Sequence, residues 1–436
     1  MFASLFAPVL RRWNIHYGWV VVGATFLTML VTAGALGAPG VLMVPLQKEF
    51  GWDAAQISSA LAIRFILFGS LAPFAAAFLN HFGLRRMVTG ALIVIALALL
   101  LSLGMTQLWQ LVALWGLLLG MATGITALVL GATVATRWFS QQRGLAIGIL
   151  SASSASGQLL FLPMLASITD HHGWRITLAV VALALLVTAV LVVIFLVDRP
   201  SDLGIPAYGD SKVAPLVVEK PSILMALWEP ITVLAAAAKV PAFWILFGTF
   251  FICGASTNGL IQTHFVAMCG DVGILPLGAA AVLAAMGAFD FLGTVGSGWL
   301  SDRFDNRWLL FWYYGLRGLS LLFLPFTSFS FYALSLFAIF YGLDWLATVP
   351  PTVRLVAERF GRERTNIVFG WVFMGHQLGA AVAAFGGGLS RTLLQSYLPA
   401  FFAAGVLCMI AASIVLLIRK DGPSASPQVQ PAAAAG

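Results

Sequence analysis

The chain has 436 residues, 61% of them hydrophobic and only 9% charged, and its mean hydropathy is +0.98. Soluble domains carry about 25% charged residues, so this composition excludes a water-soluble enzyme or binding module and places the chain in a bilayer. The net charge of +7 would suit nucleic acid, but the positions of the charges give it another meaning: they mark one side of the membrane, and no nucleic-acid partner is expected.

Crossing a bilayer takes about 20 apolar residues. Twelve runs reach that length: 17–44, 54–79, 87–106, 108–137, 144–168, 174–197, 242–268, 274–300, 308–328, 330–357, 365–390 and 397–418. Backbone groups cannot go unpaired in hydrocarbon, so each run predicts a helix, and the fold class is an all-α membrane protein of twelve transmembrane helices. The ten-residue alternating strands of a β-barrel are not seen. The opening "MFASLFAPVL" precedes Arg11 and Arg12 and reads as an interfacial segment, not a signal peptide. Between spans 6 and 7 the stretch "DRPSDLGIPAYGDSKVAPLVVEKP" is rich in Pro and charge, which marks a linker. "SILMALWEPITVLAAAA" follows it, apolar but holding Glu229 and Pro230 between Lys220 and Lys239, and predicts a helix lying on the membrane surface. The tail 421–436 is low-complexity and is expected to be disordered. The organisation is thus a six-helix bundle over 1–197, a linker over 198–241, a second six-helix bundle over 242–420 and a tail.

With the N-terminus inside the cell, eighteen of the 23 Lys and Arg fall in cytoplasmic segments. Lys48, Arg175 and Arg391 fall outside, and Arg64 and Arg317 inside spans. This positive-inside asymmetry predicts that both termini and the linker are cytoplasmic; the expected location is the inner membrane of a bacterium. Cys253, Cys269 and Cys408 form no disulfide framework: the first two share span 7, sixteen residues apart, about 24 Å along a helix.

The two sets of six spans look related. Asn80, Phe82, Gly83 and Arg85 stand 222 positions before Asp302, Phe304, Asp305 and Arg307, and "RWFSQQRGLAIG" resembles "ERFGRERTNIVFG" at nearly the same offset. The pairs fall at the same connections, between spans 2 and 3 and between spans 4 and 5 of each half, as in a duplicated transporter. "GWLSDRFDNR" from Gly298 resembles the loop motif of the major facilitator superfamily: Gly, three residues, Asp-Arg, one residue, Gly, then basic residues. Here Gly298, Asp302, Arg303 and Arg307 match, and Asp305 replaces the second Gly. The first copy keeps Gly83, Arg85 and Arg86, with Asn80 for Asp and His81 for Arg. The resemblance implies that these loops act as a cytoplasmic latch, the acid facing a helix N-terminus in the other half. "YGWVVVGATFL", "WFSQQRGLAIGILSASSASGQLLFLP", "GWRITLAVVALALL" followed by "DRP", and "GAFDFLGTVGSGWL" in span 8 resemble the monocarboxylate transporter and oxalate–formate antiporter branch. That branch has an Asp and, four residues on, an Arg; this chain has Asp290, but Thr294 where the Arg would be.

Ionisable groups near mid-bilayer are expensive and are functional candidates. Arg64, Asp290, Arg317, Asp344 and His376 lie ten to sixteen residues from their cytoplasmic loops, about 15–24 Å along a helix. Arg64 is the candidate anion anchor, since its planar fork suits a carboxylate; the alternative is a hydrogen bond to backbone between helices. Asp290 and Arg317 share a depth and form either a structural ion pair or part of a transport site. Asp344 lacks a nearby partner in sequence and suits a proton carrier, with Asp290 as a second candidate, and His376 in "GHQLG" joins the substrate-binding set. Pro350 and Pro351 interrupt span 10, Gly34, Gly37, Pro39 and Gly40 loosen span 1, and Gly116, Gly120 and Gly124 suit close packing of span 4. His171 and His172, beside Asp170, are read as a solvated loop in preference to a metal site. Neither a phosphate-binding loop nor the H-E-x-x-H or G-x-S-x-G pattern occurs, so no enzyme activity, cofactor or metal is expected. The function read from the sequence is secondary active transport by a monomer. The cargo is a small organic anion, in particular a monocarboxylate, moved by proton symport or exchange for a counter-anion. The alternatives are efflux of apolar drugs or metabolites and, in another class, a non-transporting sensor or assembly factor.

Overall fold

The computed structural model describes residues 12–13, 15–52, 54–126, 128–213, 222–361 and 364–419, and the apolar runs are helices. Ten are long and apolar enough to cross a membrane. Two further helices, Ala54–Phe82 and Arg143–His172, have 29 and 30 residues and complete a set of twelve spans in two groups of six. No strand occurs among the described residues beyond one isolated bridge, Phe139 to Tyr208. The tail, Arg11, Arg362 and the linker stretch 214–221 lie outside the described residues.

Several spans run past their apolar cores. Span 1 is Gly18–Phe50, and spans 2 and 3, Ala54–Phe82 and Leu84–Ser102, are separated by Gly83 alone. Gly83 has φ 90°, a conformation that costs a side-chain-bearing residue dearly, so one glycine reverses the chain. Span 4, Leu108–Trp138, and span 7, Pro241–Asp271, each contain a π-helical stretch, Val112–Leu118 and Ala255–Gln262. Span 10 is two helices, Phe331–Asp344 and Val349–Phe360. Pro350 and Pro351 sit in the first turn of the second helix, where backbone N–H groups lack intrahelical acceptors. They begin a new helix, and the break lies before them.

Within each half the packing follows one plan. Span 1 packs on spans 5 and 6 and span 3 on span 6; span 7 packs on span 11 and span 9 on span 12. The halves meet along spans 2 and 11 and along spans 5 and 8 (Arg143–His172 and Pro276–Ser301). Small residues allow that approach: a Cβ on Gly370 would stand 2.7 Å from the Cα of Pro73. Phe68 and Phe373 meet edge to face at 5.4 Å, and Phe65 packs with Ala380 and Ala381 at mid-depth.

Span 1 begins, and span 12 (Leu398–Val415) ends, on one face, here called the basic face. Tyr17 Oη donates to Phe195 O at 2.9 Å, and Arg307 Nη1 to Ile418 O at 2.8 Å. On the opposite face Glu49 receives Trp174 Nε1 at 2.6 Å and Arg175 Nη2 at 2.7 Å, and Arg391 pairs with Asp271 at 2.8 Å. Both opposite-face clamps stay within one half. The linker hugs the first half: Tyr208 N donates to Trp138 O at 2.8 Å and Tyr208 O accepts from Ser140 N at 2.9 Å. A helix at Ile223–Ala237 then rests on span 2 of one half and span 11 of the other. Trp371 Nε1 holds it there by donating to Pro230 O at 2.9 Å.

Candidate functional site

Arg64 stands on span 2, ten residues after Ala54, about 15 Å along the helix. It is 4% exposed, and its Nη1 donates to Leu36 O of span 1 at 3.1 Å. Pro39, three residues on, cannot donate to the turn before it, which loosens span 1 at that level. The guanidinium also lies 5.0 Å from the Phe65 ring centre. Its Nε is buried without a hydrogen-bond partner, and among the described residues no carboxylate forms an ion pair with it. Span 4 packs close behind: a Cβ on Gly120 would stand 3.0 Å from Arg64 O. A buried cation with one carbonyl and no counter-ion is costly, and the arrangement leaves the fork able to take a carboxylate.

The other buried charges pair differently from the sequence expectation. Arg317 joins Asp344, not Asp290: Nε donates to Asp344 Oδ2 at 2.6 Å, with side chains 0% and 6% exposed. Its Nη2 donates to the carbonyls of Asp344 and Trp345 at 2.6 and 3.1 Å, and Nη1 lies 2.9 Å from Cys253 Sγ. Asp344 therefore has a strong partner, 27 positions away in sequence. Asp290 Oδ1 accepts from Thr294 Oγ1 at 2.7 Å and from the backbone N–H of Leu346 at 2.8 Å, while its Oδ2 is buried without a partner. Thr294, which replaces the expected Arg, is thus a donor to Asp290.

These contacts surround the break in span 10. Residues 345–348 leave the α-helical ladder, which frees backbone groups that must be satisfied inside the protein. Arg317 of span 9 (Asn306–Phe323) takes two carbonyls, Asp290 takes one N–H, and Ser297 Oγ donates to Ala347 O at 2.6 Å. Ser297 was not singled out from the sequence. The signal was present: Asp290, Thr294 and Ser297 follow i, i+4, i+7 spacing and form one polar stripe on an apolar helix.

His376 lies on span 11 (Thr365–Leu394), buried, with Phe250 and Phe373 at 5.0 and 5.7 Å between ring centres. Gln377 Nε2 is 3.4 Å from its Nδ1, and the Gln377 side chain meets span 2 at Gly69. No hydrogen bond or ion pair joins Arg64, Asp344 and His376 among the described residues. At the end of span 5, His171 Nδ1 is 2.8 Å from Ser167 O.

The loop residues group on the basic face. Asp302 meets the start of span 5, where a Cβ on Gly144 would stand 2.7 Å from its Oδ2, and Gly298 lies beside the Gly144 carbonyl. Asp302 also pairs with Arg354 at the end of span 10. In the first half Arg137 Nη2 donates to Asn80 Oδ1 and, at 3.2 Å, to Leu79 O. Asp198, the first linker residue, accepts the Arg85 N–H at 2.8 Å and stands against Gly83, so it carries negative charge to the start of span 3. Arg354, Arg137 and Asp198 were not assigned roles from sequence; Asp198 lies 113 positions from its partner. Arg303 stacks on Trp299 at 4.0 Å, and Arg307 pairs with Asp305 at 2.7 Å. Arg86 is exposed and points along the flank of the first half.

The model of the Major Facilitator Superfamily matches residues 25–382 and 266–435. The chain is 24% identical over 385 residues to an uncharacterised transporter of the same type, YcxA of Bacillus subtilis, covering 87% of this chain and 90% of that protein. It is 28% identical to monocarboxylate transporter 13 of Rattus norvegicus over 92% of this chain and 89% of that one. Monocarboxylate transporter 12-B of Danio rerio is 26% identical, covering 92% and 86%. With twelve helices in two halves that pack alike, the chain belongs to the Major Facilitator Superfamily.

Proposed function

We propose that this protein is a secondary active transporter for a small organic anion, a monocarboxylate in particular, working by alternating access with protons or a counter-anion. The observation that carries the reading is Arg64: a buried cation at mid-depth, beside the seam of the two halves, with one carbonyl partner among the described residues and an unpartnered Nε. An anion supplies the missing charge. Its similarity to monocarboxylate transporters supports a monocarboxylate as that anion. The basic face is the cytoplasmic one by the positive-inside rule, and closure there leaves the site to be reached from the other side.

For coupling, the geometry favours Asp290 over Asp344. Asp344 is held by Arg317, whereas among the described residues Asp290 has no cation in ion-pair contact and has one oxygen free to take a proton. A protonated Asp290 still accepts through Oδ1, so it can carry a proton without releasing Leu346.

The test is uptake of labelled monocarboxylates into proteoliposomes, driven by a pH gradient, beside exchange at equilibrium. Arg64→Gln loses a charge-assisted contact of about 1.5–3 kcal/mol, so affinity falls about tenfold or more. Asp290→Asn keeps exchange and loses proton-driven accumulation. Undiminished affinity in Arg64→Gln would remove the anion anchor, and full accumulation in Asp290→Asn would remove this coupling site.

A further inference from the structure

A cleft of about 300 Å³ opens on the flank of the first half, between spans 2, 3 and 4. It is separate from Arg64 and from the seam: span 3 packs on spans 2, 4 and 6 of its own half. Phe78, Met87 and Val94 line it, with Leu118 and Ile125 at its back, and every lining residue except one is apolar. The exception is Arg86, at the start of span 3 and so at the basic face. Arg86 is exposed, and among the described residues its guanidinium has no hydrogen bond or ion pair. In the second loop copy, by contrast, Arg307 pairs with Asp305 and Arg303 stacks over Trp299. From Arg86 to Val94 is eight residues, about 12 Å of helix running from the headgroup level into hydrocarbon. Gly90 lies midway, and a Cβ there would meet nothing within 4 Å.

We infer that this cleft binds one anionic phospholipid, its phosphate on Arg86 and one acyl chain laid along Gly90 and Val94 between spans 2 and 4. A cation at the interface with an apolar trough leading from it matches both ends of such a lipid. A soluble anion would use the cation and ignore the trough; a zwitterionic lipid would use the trough and gain little from the cation.

Native mass spectrometry of the full chain in detergent, titrated with dioleoylphosphatidylglycerol and separately with dioleoylphosphatidylcholine, tests this. The wild type is expected to take one phosphatidylglycerol about tenfold more tightly than phosphatidylcholine. Arg86→Gln should erase that preference, by about tenfold in the affinity for phosphatidylglycerol alone. Gly90→Leu, which fills the open trough, should weaken both lipids. Lys239→Gln, on the same face away from the cleft, should change neither, and thermal unfolding of each variant shows that the fold is kept. Equal binding of phosphatidylglycerol by wild type, Arg86→Gln and Gly90→Leu would overturn the site. So would competition by millimolar inorganic phosphate combined with no effect of Gly90→Leu, which would mark an anion site without a lipid chain.

Discussion

Arg64 and Arg317 are both buried guanidiniums, and they differ in what answers the charge. Arg317 has the Asp344 carboxylate at 2.6 Å and two carbonyls besides, so its charge is neutralised within the second half. Removing one member of such a pair leaves the other buried and unmatched, at a cost of about 3–5 kcal/mol, whereas replacing both with apolar groups costs far less. Arg317→Met should therefore lower the unfolding midpoint in detergent sharply, and Arg317→Met with Asp344→Leu should recover much of the loss. A double variant no more stable than Arg317→Met alone would show that the ion pair is not what holds this cluster. Among the described residues Arg64 has no such partner, and its charge meets Leu36 O and the Phe65 ring. That contrast separates a structural arginine from a ligand-seeking one.

At the scale of elements, the break in span 10 depends on side chains from spans 8 and 9. Asp290 accepts the Leu346 N–H, and an unpaired buried backbone donor costs about 1–3 kcal/mol. Asp290→Leu should speed hydrogen exchange of the amides at 345–349, while Asp290→Asn, whose amide oxygen still accepts, should leave them protected. Equal exchange in the two variants would show that the contact does not hold the turn. Pro350 and Pro351 announced an interruption in the sequence, and the polar stripe of Asp290, Thr294 and Ser297 announced a buried polar contact. Which elements meet was not legible. Depth arithmetic puts Asp290, Arg317 and Asp344 at one level, but the pairing depends on how each helix is rotated about its axis, and a 3.6-residue period in an almost wholly apolar helix says little about that. The twelve spans were legible because the bilayer fixes their length, and the single-residue turn at Gly83 was hidden because the helices run beyond their apolar cores.

Taken whole, the molecule is two six-helix units joined along two seams and closed on the basic face. Asn366 Nδ2 of the second half donates to Thr136 Oγ1 of the first at 3.4 Å. Asp302 reaches the first turn of span 5, where a helix N-terminus favours negative charge by about 0.3–1 kcal/mol or more when partly buried. Its pair with Arg354 is about half exposed, at 41% and 49%, and so adds little. The halves are not equivalent here, because Asn80 brings no charge and Asp198 supplies its carboxylate inside the first half, to the Arg85 N–H. Asp302 thus acts across the seam and Asp198 does not. In Thr136→Cys/Asn366→Cys protein, crosslinking across the seam should fall severalfold on Asp302→Asn and stay unchanged on Asp198→Asn, the three native cysteines being buried and out of reach of the reagent. Under the alternating access proposed above, added substrate should lower the crosslink in the parent protein, and should lower it less where Asp302→Asn has already loosened it. Equal crosslinking in all three proteins would mean that closure rests on the packing of spans 2 and 11 alone.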